Sequence, residues 1–145
     1  MRKLLFMLPL LLLFAAANSW AHDDIEKPKS CQQCGMDRIA YAHSRMLIVF
    51  ADGTRVGTCS LNCTANELKE HQGKKVESLQ VADYDFKKLI DARKATWVIG
   101  GSKPGVMTST PKWAFASKEG AQRFIAANGG KLAVFDEALA MEQED

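Results

Sequence analysis

The first clear pattern of apolar residues lies at residues 46–50, where apolar side chains occupy both faces of an extended chain. This pattern predicts a strand that is buried on both sides. Asp52-Gly53 is a strong signal for a hairpin turn, so residues 54–59 are predicted to return as the antiparallel partner strand. The first predicted unit of sheet structure is therefore a β-hairpin.

A helix and a third strand follow the hairpin. Ser60 is placed to cap the N-terminus of a helix, apolar residues recur behind it at helical spacing, and Gly73 ends the pattern. The next apolar run, residues 76–82, predicts a strand. The order of this first half is strand-strand-helix-strand.

The second half of the chain has the same order. Strands are predicted at residues 96–99, 112–116 and 131–135, a helix between Ser117 and Gly130, and a short terminal helix at residues 136–141. The capping serine and the closing glycine are 13 positions apart in both halves, 60 to 73 and 117 to 130. We therefore expect an α+β fold made of two similar strand-strand-helix-strand halves, packed as one small domain.

The N-terminus has the pattern of a secretory signal peptide. A basic head at residues 1–3 precedes an apolar run at residues 4–17. Ser19 and Ala21 place small residues at the −3 and −1 positions of a cleavage site before His22. The apolar run is too short for an ordinary membrane span, although an uncleaved anchor is the alternative. We expect cleavage and export.

Composition and charge narrow the possibilities for the remaining chain. Removal of residues 1–21 takes away Arg2 and Lys3, so the 19 basic residues fall to 17 and equal the 17 acidic ones. A neutral chain has no electrostatic footprint for nucleic acid. We expect residues 22–30 to form a flexible polar tail and residues 31–141 to form one metal-binding domain.

The sequence Cys31-Gln-Gln-Cys34-Gly35-Met36 predicts a site for a soft metal ion. A Cys-x-x-Cys turn can direct two thiolates at one ion, and thiolates favour Cu(I) or Zn(II). Met36 adds a thioether donor, which Cu(I) accepts readily, and Gly35 suits a tight turn. The set therefore indicates Cu(I), with Zn(II) as the alternative. A Cys31–Cys34 disulfide and a Met36 that only packs in the core stay open.

Cys59 and Cys63 form a second pair across the predicted start of the first helix. A helix N-terminus lowers the pKa of a thiol, so this pair could react or bind metal. Three interpretations stay open: a structural disulfide, a four-thiolate zinc site completed by Cys31 and Cys34, and a second pair for copper binding or thiol exchange. The disulfide is favoured because exported chains with an even cysteine count commonly form them, so Cys59 and Cys63 are the less favoured ligands.

Two further residues are candidate ligands. Met107 lies in a loop marked by Gly and Pro, and a methionine outside a core pattern is a candidate thioether donor. His43 precedes the first strand, where a hydrogen-bonded surface role is favoured over metal binding. The sequence shows no Ser/His/Asp set, no phosphate-binding loop and no carboxylate pair placed for acid–base catalysis, so we expect no enzyme.

These residues, taken in order along the chain, resemble the NosL family. The resemblance covers about residues 31–136 and rests on Cys31-Gln-Gln-Cys34-Gly35-Met36, the 46–50 strand with Asp52-Gly53, Leu89-Ile90-Asp91-Ala92 with Trp97-Val98, Gly105-Val106-Met107, and Ala114-Phe115 with Gly129-Gly130. It implies two strand-strand-helix-strand halves, related to the metal-handling region of organomercurial lyase. It also implies a Cu(I)-binding accessory protein outside the cytoplasm that helps deliver copper to maturing nitrous-oxide reductase. By position, the residues that match the family's copper-associated cysteines and methionines are Cys31, Cys34, Met36 and Met107.

Two features depart from the family pattern. Many members carry a lipid-bearing cysteine directly after the signal sequence, whereas here Ala21 is followed by His22. We therefore expect a periplasmic protein without a lipid tether. Cys59 and Cys63 are additional to the family pattern, which leaves both the metal and the client open.

Three functional hypotheses follow from these residues. The favoured one is a periplasmic Cu(I) metallochaperone, whose partner is a copper-receiving apo-enzyme such as nitrous-oxide reductase, or a membrane transporter complex. It predicts a partly exposed site of low coordination number. The alternatives are a structural four-cysteine zinc site, whose loss unfolds one half, and a thiol oxidoreductase that uses Cys31 and Cys34. Against the oxidoreductase, the Cys-x-x-Cys motif follows a polar tail rather than a strand.

Overall fold

The computed structural model describes residues 27–144. The predicted signal peptide, its cleavage site at Ala21 and His22, and the first part of the predicted tail lie outside the described residues. Within the described range the elements are β1 (Met46–Phe50), β2 (Arg55–Thr58), α1 (Leu61–Glu70), β3 (Val76–Ala82), β4 (Leu89–Asp91), β5 (Thr96–Ile99), β6 (Lys112–Phe115), α2 (Lys118–Asn128), β7 (Lys131–Ala133) and α3 (Phe135–Glu144). None of the helices in this range is long and apolar enough to cross a membrane.

Two antiparallel sheets carry the two halves of the fold. The first sheet has the order β2-β1-β3-β4 and the second has the order β6-β5-β7. In each half the first strand is central and is flanked by the second and third strands of that half. The α+β fold of two similar strand-strand-helix-strand units is therefore confirmed.

The fold differs from the sequence prediction at its edges. Strand β4, which pairs with the end of β3, was not predicted. Its three residues are too few to show an alternating pattern, and none of them is fully buried. Helix α3 runs longer than the predicted residues 136–141, while β7 stops short of residue 135, where α3 already begins.

Both predicted capping serines begin their helices. The Ser60 hydroxyl accepts a hydrogen bond from the backbone N–H of Cys63, and the Ser117 hydroxyl accepts one from Gly120. These bonds satisfy backbone donors that have no partner within the helix. The cap at Ser60 matters for the site described below, because it fixes where Cys63 lies.

The core consists of two groups of buried side chains. One group packs α1 and α3 against the first sheet and includes Trp97 and Ile99 of β5. The other includes Val98, on the opposite face of β5, together with Trp113 and Phe115 of β6. The predicted core positions Trp97, Trp113 and Phe115 are buried as expected. Three of the four cysteines belong to the second group, so the candidate site borders the core of the second half.

Candidate metal centre

The first cysteine pair lies in a turn that closes on itself. The backbone N–H of Cys31 donates to the carbonyl of Met36 at 2.7 Å, and the N–H of Gly35 donates to the carbonyl of Cys31 at 2.8 Å. Gly35 has a φ of 79°, a left-handed conformation that glycine adopts without steric cost. Since the two ends of the turn are bonded, the turn has the closed form expected of a Cys-x-x-Cys metal loop.

Gln32, between the two cysteines, docks this turn onto strand β2. Its backbone N–H donates to the carbonyl of Gly57 at 3.0 Å, and its side-chain oxygen accepts from the N–H of Gly57 at 2.8 Å. Gly57 is thus bonded to Gln32 through both its N–H and its carbonyl, one bond going to the Gln32 backbone and the other to its side chain. The consequence is that Cys31 and Cys34 are held beside the end of β2, where Cys59 follows.

Arg38 provides a second anchor for the same turn. Its side chain is fully buried and donates to three backbone carbonyls: those of Thr58 at 3.2 Å, Met46 at 3.0 Å and Pro28 at 2.6 Å. The contact with Pro28 holds the end of the segment that the sequence predicted as a tail. A buried guanidinium that bonds carbonyls on two strands ties the turn firmly to the first sheet.

The second cysteine pair is positioned by the strand-to-helix junction. Cys59 directly follows β2, and its carbonyl accepts a hydrogen bond from the Ser44 hydroxyl at 2.8 Å. Cys63 lies in the first turn of α1, where the Ser60 cap fixes its backbone N–H. Both thiols point to the same side as the docked turn, as their distances to the first pair show.

The four thiol sulfurs form one cluster, in which all lie within 4.8 Å of one another. The Cys59 sulfur lies 3.5 Å from that of Cys34 and 3.7 Å from that of Cys63. Cys31, Cys59 and Cys63 are buried, and Cys34 is partly exposed. The cluster therefore has three covered donors and one that reaches the surface.

The disulfide favoured for Cys59 and Cys63 is wrong for this structure. All four cysteines are free, and a separation of 3.7 Å is well beyond the bonded distance of about 2.05 Å. The structure places all four thiols together, so Cys59 and Cys63 are as well placed as Cys31 and Cys34 to bind an ion. Spacing along the chain could not show this, because the docking of the 31–36 turn onto β2 is a tertiary contact.

The donor set fits a soft ion. A tetrahedral ion with metal–sulfur bonds of about 2.3 Å holds its sulfurs about 3.8 Å apart, close to the two separations given above. Thiolates are the donors preferred by Cu(I) and Zn(II). Met36, which closes the turn, is partly buried and packs against the same group of side chains as the cysteines. Met36 therefore packs on the same apolar group as the thiols, and its role as a ligand stays a prediction.

The protonation of the thiols is uneven. Burial raises the pKa of Cys34 to about 11. The pKa of Cys63 is lowered to about 6, chiefly because the Cys59 thiol donates a hydrogen bond to its sulfur, and this bond raises the pKa of Cys59. Cys63 therefore loses its proton more readily than Cys59. An ion that binds all four sulfurs must displace the remaining protons, so its binding releases acid.

His43 does not join the thiol cluster. Instead of a hydrogen-bonded surface residue, it is a half-buried ring packed against Trp113 and Tyr84, with centroid distances of 5.6 and 5.7 Å. Burial is the main cause that lowers its pKa from 6.5, and the charges of Lys87 and Lys103 lower it further. The ring is therefore neutral at pH 7 and belongs to an aromatic group beside the cysteines.

Met107 lies on the loop between β5 and β6. Its side chain is 47% exposed, and its φ of 58° is in the left-handed region that residues other than glycine rarely adopt. Its neighbour Val106 is buried in the same group of side chains as Cys31, Cys59 and Cys63. The loop therefore borders the thiol cluster, and the role of Met107 as a ligand stays a prediction.

Two sets of supporting residues were missed from sequence. Arg38 lies two residues after Met36, and this closeness to the motif was the one sign in the sequence that it supports the site. The other set is the buried pair Lys112 and Glu142. The only sign of this pair in the sequence was that Lys112 lies inside a predicted strand.

Comparisons with known proteins identify the family of this chain. The chain matches the NosL family over residues 22–141. It is a member of the NosL family. The fold is similar to the crystal structure of the copper chaperone NosL from Shewanella denitrificans, with a TM-score of 0.60 and 27% sequence identity, over 74% of this chain and 87% of that chain. Among proteins of curated function, none matches this chain. The family resemblance drawn from the sequence is thus confirmed.

Proposed function

We propose that this NosL-family protein is a Cu(I) chaperone, which carries copper at the four-thiol cluster and passes it to a copper enzyme. The observation that carries the proposal is the convergence of four free thiols from two distant segments. The similarity to a copper chaperone of known structure supports the same conclusion. No catalytic step is part of this proposal.

The preference for Cu(I) over Zn(II) rests on the donors. Thioethers are soft and neutral, so Met36 beside the thiols adds to a Cu(I) site and contributes little to a zinc site. Cu(I) is also stable with fewer donors than the four that structural zinc takes, which leaves room for a ligand from a partner. The partly exposed Cys34 is the thiol that such a partner reaches first.

A structural zinc site is the second candidate. In its favour, the sulfur separations of 3.5 and 3.7 Å are near those of a tetrahedral four-thiolate site. Against it, the fold has two groups of buried apolar side chains and does not depend on a metal for a core. Structural zinc sites serve mainly in domains that lack one.

A thiol oxidoreductase is less well supported. The attacking thiol of such an enzyme has a lowered pKa, usually at a helix N-terminus. Here burial raises the pKa of Cys34, and the Cys31–Cys34 turn leads into no helix. The thiol with the lowered pKa is Cys63, which is buried.

Export and delivery complete the proposal. We propose that the N-terminal signal peptide directs the chain to the periplasm, where it is released after Ala21 without a lipid anchor. The recipient we propose is the apo form of nitrous-oxide reductase or a similar copper enzyme, reached directly or through a membrane transporter complex. Mass spectrometry of the chain from a periplasmic fraction tests the first part: a mass that begins at His22 supports it, and an uncleaved or lipidated chain contradicts it.

An anaerobic competition titration tests metal choice. The reduced chain starting at His22 is titrated with Cu(I) and with Zn(II) against chelators of known affinity. We expect tight Cu(I) binding, weaker Zn(II) binding, and a large loss of Cu(I) affinity in Cys31→Ser/Cys34→Ser. Met36→Leu should weaken Cu(I) and leave Zn(II) unchanged. The matched control is Met141→Leu, because Met141 packs against the other core group.

Delivery needs a separate measurement. The Cu(I)-loaded chain is mixed with copper-free nitrous-oxide reductase, and the copper content of each protein is measured after separation. Transfer that is faster than from a Cu(I)–chelator complex of equal affinity supports a chaperone. If transfer from the protein is no faster than transfer from the chelator complex, the protein buffers copper and does not deliver it.

A further inference from the structure

A buried ion pair lies behind the loop that carries Met107. The Lys112 Nζ atom is 3.0 Å from the Glu142 Oε1 atom, and each side chain is only 1% exposed. Lys112 is on β6 and Glu142 is on α3. Such pairs are costly to bury and are stable only when further hydrogen bonds satisfy both groups.

The hydrogen bonds of Lys112 go to the Met107 loop. Its Nζ atom donates to the carbonyl oxygen of Thr110 at 3.0 Å and to the hydroxyl of Thr108 at 3.4 Å. The Thr108 hydroxyl in turn bonds the backbone of Thr110. The stretch immediately after Met107 is therefore fixed to a buried ammonium group.

The other oxygen of Glu142 faces the cysteine-bearing helix. Glu142 Oε2 accepts a hydrogen bond from the Asn62 side-chain amide at 3.2 Å. Asn62 is in the first turn of α1, directly before Cys63. One continuous polar chain thus runs from the Met107 loop through Lys112 and Glu142 to the start of α1.

The stretch before Met107 is held from the other side. Val106 is buried in the group of side chains that includes Cys31, Cys59 and Cys63. Met107 therefore lies between Val106, which is buried in the same apolar group as three of the cysteines, and Thr108, which is bonded to Lys112. Its left-handed backbone, with a φ of 58°, is a conformation that persists only where the surroundings enforce it.

We propose that Lys112 and Glu142 are positioning residues of the copper site, which hold the Met107 thioether in register with the thiols at the start of α1. This inference rests on the proposed function and adds Met107 as a further Cu(I) donor. The pair touches neither the ion nor the thiols and acts through Thr108, Thr110 and Asn62. It links the second half of the fold, which carries Met107, to the first half, which carries the cysteines.

The test replaces the pair by apolar residues of similar size, as Lys112→Met/Glu142→Leu. Replacing both partners of a buried ion pair usually keeps a fold stable, whereas replacing one leaves an unpaired charge. We expect Cu(I) affinity to fall about 10-fold, the lower end of the range for residues that orient a metal ligand. We also expect Met107→Leu to weaken Cu(I) binding in the native chain and to have no further effect in the double variant.

Two further variants separate positioning from general stability. Thr108→Val removes the hydroxyl that Lys112 reaches, leaves the ion pair intact, and should cause a smaller loss of the same kind. Lys74→Met/Asp52→Asn removes an exposed ion pair of 3.1 Å far from the loop and should leave Cu(I) affinity unchanged. Thr108→Val also keeps the proposal testable if the double variant does not fold.

Hydrogen exchange of the metal-free chain reports the same positioning without copper. In Lys112→Met/Glu142→Leu and in Thr108→Val, the amides of residues 105–110 should exchange faster, while those of β1 stay protected. Unchanged exchange, or a full Met107→Leu effect on affinity in the double variant, overturns the proposal. An absence of Cu(I) binding by the native chain would instead overturn the proposed function, and the exchange result would still decide whether Lys112 positions the loop.

Discussion

The sulfur of Cys34 lies 3.5 Å from the sulfur of Cys59, although the two residues belong to different structural units. Cys34 is in the docked N-terminal turn, and Cys59 is at the junction between β2 and α1. The pairing of Gln32 with Gly57 creates this proximity, because it places the turn alongside the strand that leads into Cys59. The metal centre is thus a product of tertiary docking.

The contacts of the Cys59 sulfur with those of Cys34 and Cys63 predict that Cys59 is a Cu(I) donor. We expect Cys59→Ser to lower Cu(I) affinity by more than about 100-fold, beyond the usual effect of residues that only support a ligand. The loss should match that of Cys34→Ser. Competition titration with a Cu(I) chelator measures both variants under the same conditions. An affinity for Cys59→Ser within a few-fold of the native value would show that Cys59 only packs beside the site.

Gly57 leaves room for the Arg38 guanidinium. A Cβ atom at position 57 would lie 2.7 Å from the Arg38 Cζ atom and 2.8 Å from its Nη1 atom. We expect Gly57→Ala to lower the free energy of unfolding by about 1–3 kcal/mol, the usual cost of overpacking, because Arg38 must give up bonds to buried carbonyls. Urea unfolding measures the change.

The control for this prediction is Gly120→Ala in α2. There the nearest atom to an added Cβ is 3.2 Å away, and alanine is favoured over glycine by about 1 kcal/mol inside a helix. We expect that variant to lose less stability than Gly57→Ala, because the nearest atom is Oδ2 of Asp85, the end of a partly exposed side chain. Equal stability of Gly57→Ala and the native chain would mean that Arg38 moves without loss, and would remove its assigned role as an anchor.

Sequence patterns predicted best those elements in which burial imposes a period. Strands β1, β3 and β5 have the predicted residues, and Ser60 and Ser117 cap their helices, since alternation and capping are local properties. Strand β4 was not predicted because its three residues are too few to show an alternating pattern. Local rules of this kind cover most of the fold.

The metal centre was only half predictable, for a different reason. The Cys-x-x-Cys spacing predicts the 31–36 turn, but no pattern in the sequence predicts that this turn bonds to Gly57. Lys112 shows the same limit: its partner Glu142 lies on another element, and no local pattern indicates that the two side chains meet. Contacts between distant elements decide the site, and a single sequence does not encode them in a local pattern.

Stability should depend on pH through His43. Burial lowers its pKa in the folded chain below the unfolded value of 6.5, so the unfolded chain binds more protons between the two values. Stability therefore increases with pH in that window and is lost as pH falls from about 7 towards the folded pKa. Urea unfolding at several pH values measures this, with NMR titration of the His43 ring as a direct check.

His43→Phe serves as the test variant, because a neutral ring can occupy the same place between Trp113 and Tyr84. We expect its stability to vary less between pH 7 and pH 5 than that of the native chain. If His43→Phe keeps the full dependence, other groups cause it and the buried position of His43 has no effect on folding.

Removal of the metal should leave the fold intact. Buried apolar side chains from both sheets form the core, and most of them belong to a group that contains no cysteine. We therefore expect the metal-free, reduced chain to keep its circular dichroism spectrum and to unfold in a single cooperative transition. Bound Cu(I) should raise the unfolding temperature only as mass action requires, with an added stability of about 2.7 kcal/mol at a free Cu(I) concentration 100 times Kd.

A structural zinc site makes the opposite prediction for the same experiment. Ions of that kind supply folding free energy, so a chelator would unfold the region that they hold. Hydrogen exchange locates any such loss: unfolding of residues 31–36 and of α1 on chelation would contradict a carrier. A carrier must survive in both states, since it empties each time it delivers its ion, and protection of α1 that persists without metal is the result that this function requires.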